Sequence, residues 1–162
     1  MHPTQDPART VRLREQRHAD DVGDVYGTPA DTLRCAATYL ITHGWHQGDR
    51  FGTPDTGSPF PAASVDGAIR AAVYGYPNDA AELDGKPGWH VDIATAALAD
   101  WLGLADIHDS QSLLTWLDDC ADAVADWNDK PLRTLPQVLL ALRDAADDYD
   151  YTLARAAKGG AR

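Results

Sequence analysis

Cysteine is scarce in this chain, bases are outnumbered, and no apolar run approaches the length of a membrane span. Each shortage excludes something. Cys35 and Cys120 lie far apart and outside any metal-ligand spacing, which removes zinc modules built on paired cysteines. The N-terminal stretch carries no apolar segment of the secretory kind, so both thiols are expected reduced and buried in a cytoplasmic protein. A disulfide stays open at this level, because sequence does not fix their separation. No membrane role is expected. Lys and Arg number 14 against 25 Asp and Glu, a net charge of −11. Phosphate-backbone binding depends on cations that displace condensed counterions, so direct nucleic-acid binding is not expected. A Gly-x-Ser-x-Gly elbow, a phosphate-cradling glycine loop and an internal repeat are all missing, and strand-like alternation never lasts beyond a few residues. No cofactor is implied.

What remains is alanine and helical periodicity. At 162 residues the chain suits one domain with a real core. Much of its hydrophobic share is Ala, the best helix former and a poor strand former, so close-packed helices are favoured over a β-sandwich. Five Trp and six Tyr supply the bulk that alanine lacks. The expected organisation is a polar arm over residues 1–25, with Arg9, Arg12, Arg14 and Arg17 ahead of Asp20, Asp21 and Asp24, then one domain over 26–155 and a tail over 156–162.

The domain reads as a mostly α bundle of about five helices. Thr28-Pro29-Ala30-Asp31 has the form of a capped start, and Leu33, Ala36, Ala37, Leu40 and Ile41 follow at helical spacing to a stop at Gly44. A second helix fits Ala62–Tyr74; Gly67 inside it costs about 1 kcal/mol against Ala, which suggests that another backbone approaches closely there. A third reads from Val91 to Leu102, with Ala94, Ala97, Leu98 and Trp101 along one side. The fourth starts with Asp109 or Ser110 as cap, buries Leu113, Leu114, Leu117, Cys120, Ala121 and Val124, and turns Asp118, Asp122 and Asp126 to solvent. Thr134-Leu135-Pro136-Gln137 has the capping-box pattern, heading a last helix that frays beyond Asp150. Two long irregular loops, 44–61 and 75–90, separate these helices, with room for a small hairpin around Asp55-Thr56-Gly57.

His43-Gly44-Trp45-His46-Gln47-Gly48, then Asp66-Gly67-Ala68-Ile69-Arg70-Ala71-Ala72, then Trp127-Asn128-Asp129 with Arg133-Thr134 and Val138–Ala146, occur here in that order. In this the chain resembles a family of small, functionally uncharacterised proteins of actinomycetes and their phages, over roughly Thr28 to Asp148. The resemblance implies domain limits and no reaction. Where related sequences often place a Cys just ahead of the Gly-Ala segment, this chain has Ser64-Val65-Asp66, which speaks against thiol chemistry.

The binding candidates are Trp45 and Gln47 in the first loop, with Trp127, Asn128, Asp129 and Arg133 in the bend before the last helix. They combine large aromatics with polar groups that can also fix a tight connection, and Arg133 is expected to pair with Asp129. The expected function is an intracellular, non-enzymatic interaction or regulatory module with a protein partner. Two alternatives stand beside it. His43 and His46, three residues apart, could serve a metal-assisted hydrolase, although Gly44 breaks the helix between them. The carboxylates of Asp118, Asp119, Asp122 and Asp126 could imitate nucleic-acid phosphates toward a DNA-binding protein, although a solvated helix face is the favoured reading and Arg143 and Arg155 on the last helix break the negative surface.

Overall fold

The computed structural model describes residues 27–53, 58–77, 79, 86–104 and 112–159. Five helices follow in order: α1 (Pro29–His43), α2 (Val65–Tyr74), α3 (Lys86–Trp101), α4 (Leu113–Asn128) and α5 (Leu135–Gly159). The molecule is a mostly α bundle. Within the described residues the only β pairing is two isolated bridges on Ala63, to Trp45 and to Phe51. The arginine-bearing arm and the expected hairpin around Asp55–Gly57 fall outside the described residues.

Local chemistry sets the helix starts. Thr28 caps α1 reciprocally: its hydroxyl accepts from the Asp31 amide at 3.0 Å, and the Asp31 carboxylate accepts from the Thr28 amide at 2.9 Å. Ser64 accepts from the Gly67 amide, which starts α2 at Val65 rather than at Ala62. Ser112 does the same for Thr115, so α4 begins beyond the Asp109–Ser110 position expected from sequence. Gln137 Oε1 accepts from the Thr134 amide at 3.0 Å at the head of α5. α3 opens at Lys86, five residues ahead of Val91, because Pro87 lies in the first turn, where its missing N–H costs nothing. α5 continues as regular helix to Gly159 instead of fraying after Asp150.

α3 is the centre of the bundle. From Val91 to Ala99 every residue but Asp92 is buried, so the helix is covered on all sides rather than along one stripe. Five of those nine side chains are Ala or Val, and such small residues let neighbouring axes approach closely. α4, α5, α2 and α1 all pack on it. α1 lies against α2 and α5. Leu33, Leu40, Ile69, Leu98 and Leu142 fill the middle of the core. Each burial of such a side chain is worth roughly 1.5–3 kcal/mol.

Three expectations about side chains fail for geometric reasons. Cys35 is exposed, because it sits on the face of α1 opposite Leu33, Ala36 and Leu40; Cys120 is buried, and neither forms a disulfide. Ile41 and Leu114, both expected in core stripes, lie on the outer flanks of α1 and α4 and are 53% and 70% exposed. None of the described helices is long and apolar enough to cross a membrane.

Candidate functional site

The distinctive bend after α4 and the loop after α1 meet. Gly44, at φ +97°, ends α1 and sends the chain across the start of α2. There the backbone is pinned: Ala63 N–H donates to Gly44 O, His46 N–H to Ala63 O, Ser64 N–H to Arg50 O and Gly52 N–H to Ala62 O, at 2.8–3.1 Å. The pinned loop presents Trp45, Gln47 and Gly48 to the C-terminus of α4.

Asn128 is the hub of that contact and is 1% exposed. Its Oδ1 accepts from Trp45 Nε1 at 2.8 Å and from the Val65 amide at 3.2 Å. Its Nδ2 donates to Asp129 Oδ1 at 2.7 Å and to His46 O at 3.4 Å. Both lone pairs and both hydrogens of the amide are thereby engaged. Val65 is the first residue of α2, whose opening amides have no partner within the helix. One side chain therefore ties together α4, the start of α2 and the loop after α1.

The last carbonyls of α4 are satisfied from the same two segments. Gln47 Nε2 donates to Asn128 O at 2.8 Å and to Lys130 O at 2.9 Å, and Arg133 Nε donates to Trp127 O at 3.1 Å. Asp129 Oδ1 accepts also from the Gly48 amide at 2.9 Å. The expected Arg133–Asp129 pair does not form. The Arg133 guanidinium lies 4.1 Å from the centre of the Trp127 ring, and Asp129 is already taken by two N–H donors. Trp45 and Trp127 are half-buried and pack against the core.

All six expected binding residues thus converge, and most of their polar atoms are bonded to one another. The histidines do not share a setting. His43 stacks on Phe60, ring centres 5.2 Å apart, with Tyr39 at 4.6 Å on α1. His46 lies past the turn, with its Nε2 buried and without a hydrogen-bond partner. The described residues contain no group of three or more His, Cys, Asp or Glu side chains arranged to hold a metal. Asp118, Asp119, Asp122 and Asp126 are exposed on α4.

A charged cluster beside the joint went unread in the sequence. Asp66, on the first turn of α2, pairs with Arg50 of the loop at 2.5 Å and with the buried Arg70 at 3.1 Å. Arg50 also approaches Asp79 at 3.6 Å. The four-residue spacing of Asp66 and Arg70 was the available signal. Asp92 of α3 faces the same cluster: burial raises its pKa above the usual carboxylate range, Arg70 opposes that, and Asp118 and Asp66 add to it.

The sequence model of a family of unknown function, DUF6197, matches residues 25–148, and the chain belongs to that family. No curated protein and no solved structure matches the chain.

Proposed function

We propose that this member of a family of unknown function is a cytoplasmic, non-enzymatic interaction module whose protein partner docks where Trp45–Gly48 meets the Trp127–Arg133 bend. One observation carries the reading. Leu132, at the tip of the bend, is 93% exposed while its backbone is held at φ +67°. Exposed leucines are common singly. A non-glycine residue in the left-handed region costs about 1–2 kcal/mol, and strain of that kind gathers at ligand clamps and switches. Here it lifts an apolar side chain into water. A partner pocket that receives the side chain accounts for both.

The bonded network behind Leu132 gives the knob a rigid base, which lowers the ordering cost of binding. Arg133 over Trp127 flanks it with an aromatic and a cation, residue types enriched at binding hot spots. Further apolar surface lies at the same end. α1 and α5 run antiparallel, since Arg34 bonds Asp147 and Asp150 at 2.7 and 2.8 Å while the chain just after α1 bonds the bend before α5. Seven residues on from Arg34 is Ile41, and seven back from Asp147 is Leu140. Seven residues return to nearly the same helix face. The outer seam of the pair is therefore charged at one end and apolar toward the joint, where Ile41 is 53% and Leu140 60% exposed.

The test is affinity capture from host lysate with the intact chain, Leu132→Gly and Leu132→Asp, alongside circular dichroism of each. A partner recovered by the intact chain and lost by both variants, with folding unaltered, is the expected result. Capture indifferent to both substitutions overturns the docking site, and turnover of a small substrate at the joint overturns the non-enzymatic reading.

A further inference from the structure

We propose that α5 pairs with α5 of a second copy of this chain, antiparallel and about a two-fold axis near Tyr151. The outer face of α5 repeats at alternating steps of three and four residues through Gln137, Leu140, Asp144, Asp147, Tyr151, Ala154 and Lys158, with Arg155 beside them. That is the spacing of a helix–helix seam. It lies opposite the face that buries Val138, Leu142, Ala145 and Tyr149 in the core. All of these outer residues are exposed except the half-buried Asp144.

The charge along this seam is its own complement. Counting from Tyr151, the fourth and seventh residues toward the N-terminus are Asp147 and Asp144, and the fourth and seventh toward the C-terminus are Arg155 and Lys158. A parallel partner would meet like charge with like. An antiparallel copy centred on Tyr151 sets Asp144 and Asp147 of each helix against Lys158 and Arg155 of the other, and an interface that uses the same patch twice needs that property. Within one copy the four charges do not satisfy each other. Asp147 gives one oxygen to Arg34 yet stays 75% exposed, Arg155 lies 5.9 Å from the Tyr151 ring, and neither Asp144 nor Lys158 has a bonded partner among the described residues. Tyr151 itself is 62% exposed and would meet its own copy on the axis.

Length points the same way. From residue 150 to Gly159 the helix contains no fully buried residue, and its apolar contact with the core is the half-buried Leu153, so its last turns gain little from their own bundle. Isolated helical segments that short are marginal in water. The seam from Asp144 to Lys158 spans about 21 Å at 1.5 Å per residue. One helix pair of that length buries less than the roughly 800 Å² per partner of a standard stable interface, so the dimer is weak and governed by concentration and salt.

Sedimentation equilibrium of the full chain, from about 10 μM to 1 mM, tests this in low salt and in about 1 M salt, where screening shortens to about 3 Å. The expected mass rises from monomer toward dimer with concentration and falls back in high salt. Arg155→Asp with Lys158→Asp gives one seam entirely negative, and Asp144→Lys with Asp147→Lys gives one largely positive; each variant alone is expected to stay monomeric. Mixed in equal amounts they are expected to reach dimer mass, at concentrations where neither does alone. A second measurement places the axis: Tyr151→Cys in a Cys35→Ser background should form a self-disulfide under mild oxidation. A wild-type chain monomeric at every concentration overturns the proposal. So does association that ignores the swaps, or a swapped pair that fails to combine although both members keep their helical spectra.

Discussion

Replacing glycine by alanine inside a helix ordinarily raises stability by about 1 kcal/mol. At Gly67 the sign should reverse. A Cβ built there lies 2.0 Å from Arg50 O, 2.9 Å from Arg50 C and 3.2 Å from the Ala63 Cβ. Carbon and oxygen in contact need about 3.3 Å, so the loop would have to retreat by more than an ångström. It is not free to do so, because Arg50 O accepts the Ser64 amide at 2.9 Å and Arg50 Nε pairs with Asp66. Retreat leaves the buried Ser64 amide without its acceptor, a loss of about 1–3 kcal/mol. If the loop stays, overpacking costs a similar 1–3 kcal/mol. A loop that yields part way incurs some of each, so less the propensity gain Gly67→Ala should lie up to about 2 kcal/mol below wild type.

Urea unfolding followed by far-ultraviolet circular dichroism measures this directly. The midpoint should fall with little change in slope, since the unfolded chain exposes nearly the same surface. In a thermal scan the same loss is a drop of up to roughly 8 °C. A midpoint equal to or above wild type would refute the reasoning, because it would mean that the loop yields without cost and that the close approach does not constrain the fold.

Asn128→Ala strands the buried Trp45 Nε1 and Val65 N–H donors together and should cost about 3–4 kcal/mol by the same denaturation assay, with a shift in tryptophan emission on the native baseline; a loss under 1 kcal/mol would show that the hub is dispensable. Leu132→Gly relieves the left-handed strain and should raise stability by about 0.5–1 kcal/mol, the reverse of the usual effect of a new glycine. Asp92 has a raised pKa from burial, so the fold favours its neutral form: its contribution is fully present below the unfolded carboxylate range and is lost as pH rises through the raised folded value. Asp92→Asn should therefore raise the melting temperature at neutral pH, and the advantage should shrink steadily as the pH falls; an advantage independent of pH would assign it to something other than ionisation. A thiol reagent under native conditions should label Cys35 promptly and Cys120 only on unfolding, read as one and then two equivalents.

Sequence carried the fold where the chemistry is local. The Thr28–Asp31 box, the Gln137 contact to Thr134 and the reason for Gly67 all depend on residues a few positions apart, or on a steric rule that permits one residue type. Boundaries failed where a local signal has two meanings. Pro87 reads as a loop breaker, yet Pro in a first turn is a helix starter. The candidate residues were also legible as a set, since Trp45, Gln47, Trp127, Asn128, Asp129 and Arg133 do meet; which atom bonds which was not. Arg133 and Asp129 are close in sequence and opposite in charge, and that alone suggests a pair. What decides the outcome is Gly48, 81 positions away, whose amide reaches the Asp129 carboxylate. The Asn128 main-chain carbonyl likewise accepts from Gln47, also 81 positions away, and its side-chain oxygen from Trp45, 83 positions away. Such contacts follow from the path of the loop, and that path follows from Gly44, Gly67 and the four backbone bonds around Ala63. The joint is thus specified twice, by polar residues that the eye finds at once and by a backbone route that no single residue announces. A substitution along the route, such as Gly67→Ala, should therefore disturb Trp45 and Asn128 although it touches neither.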